Sequence, residues 1–338
     1  MNNSAKFYRD RVKLMLALGV ILLVISAALG IMLGSTPLSL GEIQNSFQNG
    51  FDSSAGGRIF LYVRLPRTLA AIVCGGALAM SGAVIQGVLA NRLASPSIIG
   101  VNSGAGLAVT LCTALGIYGG WQLSLSAFIG AFTVVMLVSI SARKWGASRG
   151  TVILIGVAVN SLLGAVSDTI VTFVPEVGVM SNDFKVGEFS AVTYDKLVPA
   201  AILILLTTAL LLTLTNELDV LTLGEDSAKG LGMNTSVMRT VFLLLSALLA
   251  GCAVSLAGLV SFVGLMVPHA VRRIAGSKSS HLVPLCGLFG GAFVCLCDTA
   301  ARTFFAPYEV PVGIIMSFFG APFFVFILIK GKGGHSRD

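Results

Sequence analysis

The chain is a succession of apolar runs, most of them about 20 residues long, divided by short polar segments. The runs cover residues 14–33, a Gly-rich stretch opening at Pro66, then 97–115, 121–142, 151–173, 197–215, 237–255, 259–274, 281–304 and 310–329. An α-helix needs roughly 18–20 apolar residues to cross a ~30 Å hydrocarbon core. In lipid, backbone polar groups must be satisfied within a helix or a closed barrel. The pattern predicts an all-α polytopic membrane protein of ten spans, with residues 14–330 as one domain between tails at 1–13 and 331–338. The first run is expected to span uncleaved, although small residues at 26–30 resemble a processing site.

The polar segments have features of their own. Residues 34–62 are predicted to be external, with Pro37 and the group at 39–42 turning into a short interfacial helix. Pro66 suits a first helical turn, where a missing N–H is harmless. Small residues follow it (Gly75, Gly76, Ala79, Ser81, Gly82, Ala83, Gly87), and such a face lets helices approach closely. Residues 91–96 break the pattern, the run at 259–274 contains Pro268, and residues 175–195 are external with a short helix expected around 183–190. Gly/Pro-interrupted segments recur at corresponding places in the two halves, which hints at an internal repeat.

The segment 216–239 is polar and too long to remain in hydrocarbon. Glu225–Leu231 can form about two helical turns, Gly232 suits a C′ stop and Asn234 suits the N-cap of the next piece. Two short helices at a bend make a docking knob for a soluble motor.

Composition strengthens the membrane reading. Of 338 residues, 55% are hydrophobic and 11% charged, against about 25% charged in soluble proteins. The net charge of +7 does not indicate nucleic acid. On this topology 16 of the 22 Lys and Arg residues lie on one side, as the positive-inside rule requires of a cytoplasmic face. Both termini are then cytoplasmic. The six cysteines all lie in apolar runs and are expected to be buried thiols, without a disulfide framework.

Chemistry is sparse. No phosphate-binding loop, paired catalytic carboxylates or metalloprotease motif occurs, and His269, His281 and His335 are scattered. No catalytic residue, metal or cofactor is expected, so uphill movement needs an ion gradient or a separate energy-supplying subunit. Asp168 and Asp298 are the candidates for an ion-coupled carrier. Both are placed near external span ends, where solvation is easy, and Asp298 can pair with Arg302 four residues on. A receptor or scaffold without transport is a further alternative. Arg64 and Arg67, three apart, and Arg302 stand on the external side against the charge trend. They either pair internally, with Glu42 or Glu309, or anchor at the interface, or grip carboxylates of a soluble partner.

The motifs RLPRTLA at 64–70, GGALAMSGAVIQGVLANRLASPSIIGVNSGAG at 75–106, LGEDSAKGLGMN at 223–234, GLVSFVGLMVPHAVRRIAG at 258–276, DTAAR at 298–302 and EVPVGI at 309–314 appear in the order typical of FecCD-type permeases. The chain resembles that family from about residue 60 onward. These are the membrane subunits of type II ABC importers for iron-siderophores, haem and cobalamin.

The resemblance implies a ten-helix permease of that fold in the bacterial cytoplasmic (inner) membrane, surrounded by lipid. It also implies a second permease subunit, two ABC ATPase subunits and a periplasmic or lipoprotein solute-binding protein, with an iron-siderophore as the expected cargo. By the same resemblance Arg64, Arg67 and Arg302 dock the binding protein. Leu223, Gly224, Glu225, Asp226, Ser227, Ala228, Lys229, Leu231 and Gly232 couple to the ATPase. Asn91, Ala147 and Ser148 lie where the cytoplasmic exit narrows. Two departures stand out: Asn91-Arg92-Leu93-Ala94 replaces the family's Asn-Pro-Leu-Ala, and Lys278-Ser-Ser-His281 replaces an acidic-His-Arg group.

Overall fold

The computed structural model describes residues 2–36, 41, 44, 46, 48 and 50–332, and among these there is no β-strand. Apart from Gly41, the turn expected at 37–42, with Glu42 as a pairing partner, lies outside the described residues, and beyond it residues 44, 46 and 48 are helical. The helices are α1 (Asn2–Met32), α2 (Ala55–Val88), α3 (Val101–Ala114), α4 (Gly120–Lys144), α5 (Arg149–Phe173), α6 (Glu176–Val186) and α7 (Tyr194–Thr213). They continue as α8 (Thr215–Thr222), α9 (Glu225–Gly230), α10 (Thr235–Ala257), α11 (Val263–Ala275), α12 (Ser279–Thr303) and α13 (Val312–Lys332). Seven are long and apolar enough to cross a membrane: α1 from Asp10, α2, α4, α5, α7, α10 and α12. α3 and the Val312–Val325 part of α13 are shorter apolar helices, and α11 is a 13-residue helix with Pro268 inside it and Arg272 and Arg273 in its last turn.

Several boundaries differ from the sequence reading. The basic N-terminal segment continues the first span as helix, and α1 has 31 residues. At 1.5 Å per residue it is about 46 Å long, so its charged end projects beyond a ~30 Å core. α2 begins at Ala55, well before Pro66, through a π-helical stretch at Ile59–Arg64. Proline has no N–H and its ring crowds the carbonyl four residues back. The wider π turn just before Pro66 relieves both constraints, so the helix runs on through it. The short helix expected around 183–190 is instead Glu176–Val186, and it ends at Gly187 with φ +77°.

α2 is the axis of the molecule. Most of its residues are buried, and α12, α10 and α11 pack around it. The glycines permit this closeness: a Cβ on Gly75 would overlap the Gly290 carbonyl of α12, and one on Gly82 would overlap the Gly264 backbone of α11. Five cysteines are buried and Cys112 is half-buried; all six thiols are free.

Two of the short helices share a device. A 3₁₀ turn, Pro96–Ile99, leads to Gly100 at φ +100°, and only then does α3 begin. Residues 97–100, expected to be part of the third span, are therefore not α-helical. The Ser97 carbonyl has only a long 3.3 Å bond from Gly100 N–H, and the Asn160 amide of α5 donates to it (2.9 Å) and to the Ile98 carbonyl (3.2 Å). Ahead of α11, Phe262 takes φ +67°, an uncommon conformation for a bulky side chain. Its ring fills the space beside Gly320 of α13, where a Cβ would come within 2.7 Å of the Phe262 Cβ.

Candidate functional site

The three arginines singled out by the sequence meet at one end of the bundle. Arg64 and Arg67 lie at the junction of the π turn with the α-helical part of α2, and Arg302 is in the last turn of α12. All three are buried, with 3%, 6% and 2% exposure. Asp298 is 1% exposed and lies among them, so the solvated position expected for it is corrected. The Nε and Nη2 of Arg67 donate to its carboxylate at 3.0–3.2 Å, and the Nε of Arg302 is 3.3 Å from Oδ2. The i,i+4 pair anticipated from spacing is thus present, and a second arginine completes it. Burying a carboxylate demands such pairing.

Glu309, in the segment between α12 and α13, accepts from Arg67 Nη1 at 2.6 Å and from Ser35 Oγ at 2.8 Å. Partial burial pushes its carboxyl up, and Arg67 with Ser35 outweighs that, holding it below the usual carboxylate range. The remaining guanidinium donors close the end of α1. Arg64 donates to the carbonyls of Ile31 (3.0 Å), Met32 (2.5 Å) and Thr36, and Arg302 to that of Gly30. The last carbonyls of a helix lack intrahelical donors and carry partial negative charge, so cations are favoured there. Asp168 is different: its side chain is 75% exposed and 3.5 Å from Lys185.

At the opposite end, Thr215–Thr222 forms a helix that the sequence reading missed. It buries Thr215, Leu218 and Leu221 along one side. Asp219 on its other side accepts from the Ser279 N–H at 2.8 Å, fastening it to the start of α12. Gly224 turns at φ +112° into α9, which ends near the left-handed Gly232 at φ +82°. The Asn234 side chain then caps α10, accepting from Val237 N–H at 3.2 Å. Gly232 and Asn234 both act as their residue types predicted.

Ala228 is fully buried, while Asp226, Ser227 and Lys229 are exposed and Leu223 and Leu231 are 64% and 67% exposed. Two open leucines beside charges, on a braced loop, form a surface suited to a protein partner. Lys229 (3.2 Å) and Arg239 (2.8 Å) flank Glu225 and hold its carboxyl below its ordinary range.

The predicted exit residues lie in two connections. Asn91 forms an Asx turn after α2, its Oδ1 accepting from Leu93 N–H at 2.9 Å. Ala147 and Ser148 make the α4–α5 turn, where Ser148 Oγ caps α5 through Thr151 N–H at 3.2 Å. Sequence reasoning missed Arg239, which donates to the Ala147 carbonyl at 2.9 Å, and Arg149, which donates to that of Leu221 at 2.7 Å. It also missed Gln86, which donates to the Gly264 carbonyl at 3.1 Å and accepts from Arg272. A basic or amide residue beside an apolar run was the available signal, but it does not name a partner.

The sequence profile of the FecCD transport family matches residues 22–330. The chain belongs to the FecCD transport family. Members are permease subunits, which are not themselves catalytic. This FecCD chain is 35% identical to the ABC transporter permease protein YvrB of Bacillus subtilis (strain 168), over 94% of each chain. It is 34% identical to the hemin transport system permease protein HmuU of Yersinia pestis, covering 96% of this chain and 98% of HmuU. Among solved structures, an inward-facing conformation of a metal-chelate type ABC transporter superposes with a TM-score of 0.82 at 31% identity, over 93% of this chain and 98% of the other.

Proposed function

We propose that this FecCD protein is the permease subunit of an ATP-driven importer that moves an iron-siderophore-type metal chelate across a bacterial cytoplasmic membrane. The observation that carries this reading is the near full-length similarity to Bacillus subtilis permeases named for siderophore transport and for Fe(3+)-citrate import, 35% and 31% identical. A haem or cobalamin cargo is the second reading, favoured by HmuU and by 33% identity to the vitamin B12 import permease BtuC of Yersinia pseudotuberculosis over 83% of this chain.

In this proposal ten helices span the bilayer, the seven long ones together with α3, α11 and α13, and both termini are cytoplasmic. A second permease subunit, identical or related, completes the pathway. Two ATPase subunits take the loop 223–232, whose exposed leucines and braced turn support that role. A solute-binding protein docks over Arg64, Arg67 and Arg302. Their guanidinium groups already have internal partners, so docking proceeds by exchange, with a carboxylate of the binding protein displacing partly exposed Glu309 from Arg67. Residues 91 and 147–148 narrow the cytoplasmic exit.

The deciding experiment is mild-detergent purification from native membranes followed by mass spectrometry. An ATPase and a solute-binding protein are expected to co-purify with the wild-type chain, and deletion of 225–231 is expected to lose the ATPase. Recovery of the chain alone in both cases overturns the reading.

A further inference from the structure

Arg239, one turn into α10, touches two elements that do not otherwise belong together. Its side chain is 12% exposed. Nη1 donates to the carbonyl of Ala147 in the α4–α5 turn at 2.9 Å. Nη2 donates to Oε2 of Glu225, the first residue of α9, at 2.8 Å. The second carboxylate oxygen of Glu225 is 3.2 Å from Lys229, one turn along the same helix. The carboxylate is therefore anchored within α9, and the guanidinium is anchored on the turn.

The space around this link is not filled. A cavity of about 70 Å³ lies there, lined by Ser139, Arg143, Ala147, Glu225, Arg239 and Leu243 among others. The buried Oγ of Ser139 has no hydrogen-bond partner. Apolar side chains interlocked across a gap would transmit force by contact, but a void does not. The planar guanidinium crosses it with a rigid fork, and its charge-assisted hydrogen bonds resist both separation and shear. Arg149 adds a second tie from the same turn to the Leu221 carbonyl at the end of α8.

We propose that Arg239 is a positioning residue that carries displacement of α9 to the α4–α5 turn, so that movement at the motor-facing loop is felt at the cytoplasmic exit. The inference rests on the reading of 223–232 as the ATPase-coupling loop and of Ala147–Ser148 as part of the exit. Ordinary helix packing could hold α10 in place without Arg239. What packing does not supply is a charged link with one end on each moving part.

The test uses the full chain co-purified with its ATPase in lipid nanodiscs, in a Cys112→Ser background, since the other five cysteines are buried. Single cysteines replace exposed Trp145 in the turn (W145C) and exposed Ser227 in α9 (S227C), and maleimide labelling is timed with and without a non-hydrolysable ATP analogue. With Arg239 intact, S227C is expected to be protected by the ATPase, and the labelling rate of W145C to change several-fold on adding nucleotide.

Arg239→Gln is expected to abolish the nucleotide response at W145C while S227C stays protected. Arg239→Lys, which reaches one partner at a time, is expected to keep part of it. Arg239→Met keeps the apolar stem but none of the hydrogen bonds, leaves the loop 223–232 untouched, and is expected to behave like Arg239→Gln. A response at W145C that persists in both severed variants, with S227C protected, overturns the strut. If S227C is unprotected even with Arg239 intact, the coupling-loop reading falls and the strut falls with it.

Discussion

Asp298 is the residue whose isolation would cost most, because it is a carboxylate with 1% exposure held by two arginines. Removing one partner of a buried charge pair costs about 3–5 kcal/mol, less where a second partner remains. Arg67→Ala is therefore expected to lower the thermal midpoint in detergent by several degrees, whereas Glu309→Gln, at a partly exposed position, leaves it nearly unchanged. On the exchange proposal Glu309→Gln also frees Arg67 and tightens binding of the solute-binding protein several-fold, measured by titration. Unchanged affinity would remove Glu309 from the docking step.

Glu225 offers a second residue-scale test. Its folded pKa is lowered, by Lys229 first and then Arg239. The stabilisation it contributes is thus present above the unfolded value of about 4.3 and lost as pH falls through the lower folded value. In a Trp121→Phe protein the exposed Trp145 is the remaining tryptophan. Its emission is expected to shift only below that ordinary glutamate range, and Glu225→Gln is expected to remove the transition.

The helices show why a glycine-rich run becomes an axis rather than a weak span. At Gly82 the backbone of α2 meets the backbone of α11 at Gly264, leaving no room for a Cβ. Gly82→Ala is expected to destabilise by about 1–3 kcal/mol, as overpacking does, and more than Gly106→Ala, where a Cβ meets open space. Comparison of the two melting midpoints checks this. Small residues at 75–87 made the close approach readable in advance. The start of α2 was not, because Gly56, Gly57 and Pro66 each argue against a helix, Arg58 and Arg64 against an apolar span, and a π turn leaves no 3.6-residue period to follow. α8 escaped for a related reason: eight residues with only Leu218 and Leu221 as apolar anchors are too few to show periodicity.

Over the whole molecule, run length and charge asymmetry carried the all-helical membrane architecture, since hydrocarbon thickness constrains sequence more strongly than any packing detail. Gly232 and Asn234 were also legible, because each does one local job. Partnerships were not. Asn160 reads as a polar residue in an apolar run, and its role appears only when the non-α-helical residues 97–98 lie beside it and their carbonyls accept from its amide.

The pairing of Phe262 with Gly320 has a bearing on how related sequences change. Position 320 is vacant because the ring at 262, held in a backbone conformation that bulky residues avoid, occupies the place of its side chain. The two sites, 58 positions apart, are therefore expected to drift together across the family: where a lineage has lost the aromatic at 262, an alanine or larger residue becomes permissible at 320.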